Sequence, residues 1–269
     1  MGERHPFCSQ KLFKSKNVIH YSNLPDIFMY QGLVRVLIYV TLPQKERLFQ
    51  WALISGGSNT ERYYFTHIND TTEHKFNIRP RYFGDESSYT EAFPKRIQEI
   101  LSANNDAKIF CVFDWDTVYG NDTRLKNHAE FVAQFAKEIA DGTVTICPSM
   151  PSIEYWFLLH FEDYTQLLRD YPAVSNKLAP WMRPCFSKPG VSLKKLLKTE
   201  KYLKESTWVE NLCADGKLAL AIERAEKNIA AAVEAGKLEE QSYSFVYKVF
   251  KPVVWDDSIG TSSTHSLTS

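Results

Sequence analysis

Residues 108–114, KIFCVFD, decide the fold that this sequence predicts. The run is apolar at nearly every position and ends on the carboxylate Asp114, a pattern typical of a strand buried on both faces of a parallel sheet. Similar runs lie on either side, QWALIS at 50–55 and TVTIC at 143–147. Segments with the apolar spacing of helices separate these runs, so the pattern predicts crossover βαβ units.

The remaining predicted elements extend this pattern in both directions. The predicted strands are 33–42, 50–55, 76–82, 108–114 and 143–147, and the predicted helices among them are 59–68, 87–103, 125–140 and 152–161. Prolines punctuate residues 163–236, which are predicted to be wholly helical, and the apolar segment 244–255 is expected to return to the core. The sequence therefore predicts an α/β fold, a largely parallel sheet flanked by helices with a helical C-terminal extension.

This pattern also predicts the domain organisation. We expect an irregular N-terminal segment (1–30), an α/β domain (31–165), a helical C-terminal region packed on it (166–255) and a disordered tail (256–269).

Composition excludes several classes of protein. The 269 residues are 44% hydrophobic and 24% charged, enough for a full core, and 32 basic residues balance 32 acidic ones. A protein that coats nucleic acid through its overall charge is excluded, so such binding would need a local patch. The five cysteines lack the paired spacing of a zinc site and are expected to stay reduced. No segment reaches the ~20 apolar residues of a membrane span, and no signal-like segment opens the chain, so we expect a cytoplasmic protein without membrane contact.

Two aspartates at the end of the central run carry the clearest chemical signal. Asp114 and Asp116 follow a buried strand, and ligand sites in parallel sheets lie at the carboxyl ends of strands. Mg²⁺ is held by one or two carboxylates together with phosphate oxygens, so this pair would suffice as the protein's contribution. Alternatively, the two side chains merely cap the turn that follows.

Two glutamates follow the neighbouring predicted strands. Glu61 comes after the turn at 56–60, and Glu154 opens the apolar helix predicted at 152–161. Because the carboxyl ends of parallel strands share one edge, we expect both to lie near Asp114 and Asp116. Alternatively, they are there because acids at helix N-termini are favourable for the helix macrodipole.

The order and spacing of these motifs resemble a known family. The segment ISGGSNTERYYF at 54–65, the run ending in Asp114-Trp115-Asp116, and SIEYWFLLHF at 152–161 together resemble the RloB-like (abortive-infection) proteins. These belong to the Toprim superfamily of metal-dependent nucleic-acid enzymes, which also holds topoisomerase, primase and overcoming-lysogenization nuclease domains. The resemblance spans about residues 50–165 and, more loosely, the helical tail.

The resemblance implies a site and its cofactor. It implies a Mg²⁺ (or Mn²⁺) site built from Glu61, Asp114 and Asp116, with Glu154 as a further ligand. The first strand of the Toprim pattern ends on a glutamate followed by glycine, and the matching position here is Gly56. Loss of that glutamate is expected to weaken catalysis. The family also implies an ATP-binding-cassette-type ATPase as a partner.

A lysine-rich stretch is the candidate nucleic-acid surface. Residues 177–204 hold many basic side chains with interleaved aromatic rings, which fits a surface that follows phosphates and stacks bases. The residues assigned to nucleic-acid binding are Lys188, Lys194, Lys195, Lys198 and Lys201. The alternative is a solvated face of a lysine-rich helix.

Three functions are compatible with these residues. The first is Mg²⁺-dependent cleavage of RNA or DNA in antiviral, abortive-infection defence, with Glu61, Asp114 and Asp116 as catalytic residues. The second is a catalytically impaired partner or regulator of an ATP-binding-cassette-type ATPase. The third is a haloacid-dehalogenase-type phosphatase, because residues 114–118, DWDTV, fit that nucleophile loop. Against the third, at least two predicted βα units precede the loop. The sequence leaves the oligomeric state open.

Overall fold

The computed structural model describes residues 51–57, 59–79 and 89–251. The strand predicted at 33–42, the N-terminal segment 1–30 and the tail 256–269 lie outside the described residues. The described strands are β1 (Trp51–Ser55), β2 (Asn77–Arg79), β3 (Lys108–Asp114), β4 (Val144–Met150) and β5 (Tyr243–Ser244). The helices are α1 (Thr60–Thr71), α2 (Tyr89–Ala103), α3 (Asp122–Gln134), α4 (Ala136–Ala140), α5 (Ile153–Leu159), α6 (Tyr171–Cys185), α7 (Leu193–Lys198), α8 (Glu200–Leu203), α9 (Thr207–Cys213), α10 (Lys217–Glu234) and α11 (Tyr247–Phe250).

The strands form one five-stranded sheet in the order β2-β1-β3-β4-β5. The first four are parallel, and β5 pairs antiparallel with the end of β4. In register, Leu53 lies opposite Phe110, and Asp114 lies opposite Ser149. The prediction of an α/β fold with a largely parallel sheet, flanking helices and a C-terminal helical region is confirmed.

The side chains of the central strands alternate between two cores, as the period of a strand requires. Ala52, Ile54, Ile109, Cys111 and Phe113 pack against α2 and α3 on one face. On the other face Leu53, Phe110 and Val112 pack against α1, α5 and the C-terminal helices. Asp114 continues the second set by the same alternation, so its side chain belongs to the face that carries α1 and α5.

The chain reverses its direction of travel across the sheet between β1 and β3. From β1 it passes through α1 to β2 on one side, whereas from β3 it passes through α3 and α4 to β4 on the other side. Right-handed crossovers then place α1 and α3 on opposite faces, which leaves a crevice at the carboxyl ends of β1 and β3. This topological switch point is where open α/β sheets bind ligands.

The C-terminal helices pack into the core on the α1 face of the sheet. Leu178 of α6, Leu197 of α7 and Trp208 of α9 are fully buried there with Tyr64 of α1. Hydrogen bonds fix α1 against this region: the Thr60 hydroxyl donates to the Leu197 carbonyl at 2.6 Å, and Tyr63 donates to Glu200 Oε1 at 2.7 Å. The helical region therefore lies beside the N-terminus of α1.

Several predicted boundaries differ from the structure for physical reasons. The helix predicted at 125–140 is two helices, because Phe135 leaves the helical conformation between them. The helical region begins at Tyr171 rather than at 163. Its first helix, α6, is capped there by the Asp170 side chain, which accepts a hydrogen bond from the Ala173 amide at 2.9 Å. The apolar segment after 243 does return to the core, through β5 and the buried side chains of Val249 and Phe250. Within the described segments, every helix is too short or too polar to cross a lipid bilayer.

Candidate active site

The loop after β3 docks against the N-terminus of α5. Asp114 Oδ1 accepts a hydrogen bond from the Ile153 amide at 2.8 Å, and the Asp116 amide donates to the Pro151 carbonyl at 3.0 Å. The Ile153 amide is one of the unpaired donors at the start of a helix, so a carboxylate is a favourable partner for it. The two bonds join the β3 and β4 junctions of the sheet edge.

The β1 junction delivers Glu61 to the same edge. Parallel pairing continues one residue past β1, because the Gly56 amide donates to the Val112 carbonyl at 2.8 Å. The chain then turns at Gly57 and enters α1, whose second residue is Glu61. The Glu61 side chain is 5% exposed. Its carboxyl group faces the crevice between β1 and β3.

The β4 junction contributes Glu154, which is fully buried. Glu154 Oε2 accepts from the Ser152 hydroxyl at 2.6 Å, and Oε1 accepts from the Lys198 ammonium at 3.2 Å. Lys198 is the last residue of α7, and its side chain is 46% exposed. The ammonium group reaches from the helical region across the crevice to the carboxylates of the sheet edge.

Glu61, Asp114 and Lys198 line an open cavity of about 320 Å³. Its lining comes from the β1 turn, the start of α1, the β3 loop and α7: Gly56, Gly57, Asn59, Thr60, Glu61, Asp114, Thr117 and Lys198. The cavity therefore lies at the switch point, and its lining includes two acidic residues and one lysine.

Burial and neighbouring negative charges raise the pKa values of Glu61, Asp114 and Asp116. Burial raises the pKa of Glu61, and the charges of Glu154 and Asp116 add to this, whereas Lys198 lowers it. Burial also raises the pKa of Asp114 well above its ordinary value, and the charges of Glu61, Glu154 and Asp116 raise it further. The pKa of Asp116 is raised by burial first and then by Glu154. The crevice thus concentrates negative charge that a bound cation would relieve.

Lys198 is the counter-charge that the structure supplies. Although burial lowers the pKa of Lys198, the carboxylates of Glu154, Glu61 and Asp114 raise it above its ordinary value. Its ammonium group also lies 5.2 Å from the centroid of the Tyr171 ring, a favourable cation–π position. One ammonium group faces four carboxyl groups, so it offsets only part of their charge.

The donor set fits a hard divalent cation that keeps water or substrate ligands. Within residues 51–57, 59–79 and 89–251, no three His, Cys, Asp or Glu side chains form a ready-made metal site. Mg²⁺ does not need one, since one or two carboxylates plus phosphate oxygens and waters complete its shell. The residues that line the crevice supply carboxylate oxygens and no thiolate. A bound cation would reduce the electrostatic repulsion among the acidic groups. Glu61, Asp114 and Asp116 are the residues that would hold it.

Comparison with known proteins agrees with this arrangement of motifs. A family model described as RloB-like protein matches residues 52–252, well over half of the chain. This chain belongs to the RloB-like family. Comparison with curated proteins found no match, and comparison with solved structures found none either. The match covers the sheet, the four acidic residues and the helical region through α11, so the C-terminal helices are part of the RloB-like unit.

The predicted nucleic-acid-binding lysines of this RloB-like chain fall into two groups. Lys194 and Lys195 are exposed on α7, and Lys201 is exposed on α8. Lys198 instead faces the acidic crevice, and Lys188 lies 3.4 Å from Glu205 Oε2. The structure thus brings α7 to the site, with one of its lysines inside it and two on its outer surface.

Two residues of the site were not predicted from the sequence. Asp170, which caps α6, is close enough to raise the pKa of Asp116. Tyr171 lies against Lys198, and burial together with the charge of Glu154 raises the pKa of its hydroxyl group. The Asp-Tyr-Pro sequence at 170–172 is a helix-start signal, but no local pattern shows that this helix begins beside the crevice.

Two histidines near the sheet pack among aromatic side chains, His160 in the core and His128 half-buried. His160 is buried, its Nδ1 donates to the Trp156 carbonyl at 3.0 Å, and burial lowers its pKa to about 3. His128 packs against Trp115 and Phe113, and burial lowers its pKa as well. Both therefore stay neutral and serve the packing. Cys111 and Cys147 are buried free thiols, as expected.

Proposed function

We propose that this RloB-like chain is a Mg²⁺-dependent nuclease of the Toprim type that cleaves phosphodiester bonds in RNA or DNA in antiviral defence. The observation that carries the proposal is that Glu61, Asp114, Asp116 and Glu154 come from three βα junctions and lie close enough for their charges to interact, with Glu61 and Asp114 lining the cavity at the switch point. A buried cluster of like charges costs stability, and a fold retains such clusters chiefly where chemistry uses them.

The cluster suits phosphodiester hydrolysis because each group has a distinct task. When bound, the divalent cation would neutralise the scissile phosphate and acidify a water molecule. Asp114 and Asp116 would bind this cation and fix its position. Glu61, which lines the cavity beside Asp114, would hold the cation with them and orient the attacking water. Lys198 places an ammonium group where the negative charge of the phosphate develops.

The surface outside the crevice supports a polymeric substrate. The exposed side chains of Lys194, Lys195 and Lys201 lie on α7 and α8, the elements that carry Lys198 to the cavity. A strand with its scissile phosphate at Lys198 would pass these residues, which would bind its backbone without reading its sequence.

A cleavage assay with a matched variant tests the proposal. Labelled single-stranded and duplex RNA and DNA are incubated with the purified chain in Mg²⁺, in Mn²⁺ and in EDTA. We expect metal-dependent cleavage that Asp116→Asn reduces by at least about 100-fold, since removal of a group acting in the transition state costs that order of rate. Asp106→Asn, an exposed aspartate at the opposite end of β3, is the control and is expected to cleave like the wild type. Equal cleavage by the Asp116→Asn and wild-type chains would contradict the proposal.

One observation favours a second candidate, a catalytically impaired partner of an ATP-binding-cassette-type ATPase. Gly56 stands where the resemblance expects a glutamate, and its amide is used in the sheet. A wild-type chain that binds Mn²⁺ but cleaves none of the four nucleic acids in the same assay would support this candidate. The phosphatase is less favoured, because Asp114 ends the third described strand, whereas that fold carries its nucleophile on the first.

A further inference from the structure

A buried hydroxyl group bonds the backbone just after β1. Ser55 Oγ donates to the Gly57 carbonyl at 2.8 Å and accepts from the Gly57 amide at 3.3 Å. Ser55 is 2% exposed, and the next residue, Gly56, is bonded to β3. The backbone of Gly57 is therefore fixed between the sheet and the Ser55 side chain.

The bare Cα of Gly57 faces the carboxyl group of Glu61. A β carbon built on Gly57 would overlap the Glu61 carboxyl carbon and both of its oxygens. The Gly57 backbone lies outside the left-handed region, unlike Gly120 and Gly142, so conformation does not require glycine here. What requires glycine is the space that the carboxylate occupies.

The overlap involves the end of a flexible side chain. We therefore expect an alanine at 57 to be accommodated by rotation of the Glu61 side chain away from its place rather than by a shift of the Gly57 backbone. Within the described part of the β1 junction, Glu61 is the acidic residue that lies at the crevice. Its neighbour Asp114 is held separately, by the hydrogen bond from the Ile153 amide. A displaced Glu61 carboxylate therefore removes one acid from the cluster without changing any charge in the sequence.

We propose that Gly57 is a positioning residue that sets the place of the Glu61 carboxylate, with Ser55 fixing Gly57. This inference rests on the proposed function, in which Glu61 serves the cation and the attacking water. It predicts that Gly57→Ala, which adds only one methyl group, weakens cation binding in the same way as removal of the Glu61 carboxylate.

A double-mutant cycle of Gly57→Ala and Glu61→Ala tests this proposal, with Mn²⁺ affinity measured by calorimetry. Gly57→Ala alone is expected to weaken Mn²⁺ binding by about tenfold or more, the range for changes around metal ligands. In the Glu61→Ala background the same substitution is expected to leave the affinity unchanged. Wild-type affinity in Gly57→Ala, or further weakening in the double variant, would overturn the proposal.

A crystal structure of Gly57→Ala in EDTA gives a readout that needs no metal. We expect the backbone of 55–57 to be unchanged and the Glu61 carboxylate to have rotated out of the crevice. A Glu61 carboxylate in its original place, with a shifted turn, would overturn the positioning role even if the wild type binds Mn²⁺. If the wild type binds no Mn²⁺ but Glu61 moves as expected, the proposed function fails and the positioning role stands.

Discussion

Replacing Asp114 with asparagine is expected to abolish divalent-cation binding and, in EDTA, to make the folded chain more stable. Asparagine keeps an oxygen that can accept the Ile153 amide, so the junction with α5 survives. It removes a carboxylate that burial and three neighbouring charges penalise. We expect the free energy of unfolding to rise at pH 8, because folding of the variant no longer buries a carboxylate among like charges, and Mn²⁺ affinity to fall by more than about 100-fold.

The pH dependence of this gain follows from the direction of the pKa shift. Because the pKa of Asp114 is raised on folding, the folded wild type holds more protons than the unfolded chain between the ordinary value of 3.8 and the raised one. Wild-type stability therefore falls as pH rises through that window, and the asparagine variant escapes this loss. The gain is expected to be full above the raised pKa and to vanish below about pH 4.

Urea unfolding of both chains in EDTA, at several pH values, measures this effect. Asp106→Asn, at the other end of β3, is again the control and should change the free energy of unfolding by less than about 0.5 kcal/mol. An Asp114→Asn chain less stable than wild type at pH 8 would show that its carboxylate is a structural anchor rather than a strained functional group.

The second large effect is expected for Lys198→Met. Methionine keeps an apolar stem against Tyr171 but removes the ammonium group that faces Glu154. A fully buried carboxylate then loses its counter-charge, which should cost about 1–2 kcal/mol in EDTA, because breaking a buried pair leaves one charge uncompensated. The half-exposed lysine makes this cost smaller than for a fully enclosed pair.

Added cation should reverse the destabilisation of Lys198→Met. Without the ammonium group, more of the negative charge of the acidic residues is left uncompensated in the variant. Mn²⁺ should therefore raise its melting temperature more than that of the wild type. Cleavage should nevertheless fall, because the phosphate loses the ammonium group. Lys195→Met, exposed on the same helix, is the control for both measurements. Equal melting temperatures of the two methionine variants in EDTA would contradict the counter-charge assigned to Lys198.

The sheet and the acids at its edge could be predicted because their signals are local. KIFCVFD is the strand Lys108–Asp114, and the acids after neighbouring parallel strands had to share an edge. Lys198 could be predicted only as one of several basic residues, because its position depends on packing. The bond from Thr60 to Leu197 brings α7 to the start of α1 across 137 residues of sequence, and no periodicity encodes that contact. The two-residue strand Tyr243–Ser244 was missed for the same reason.

In the proposed function, acids from separate βα junctions form one cation site at the β1–β3 crevice. A crystal of the wild-type chain soaked in Mn²⁺ and measured at the manganese absorption edge tests it most directly. We expect an anomalous peak in the crevice, within ligand distance of Asp114 and at least one of Glu61 and Asp116. A peak at another surface, or an empty crevice at a Mn²⁺ concentration that saturates the chain in solution, would contradict it.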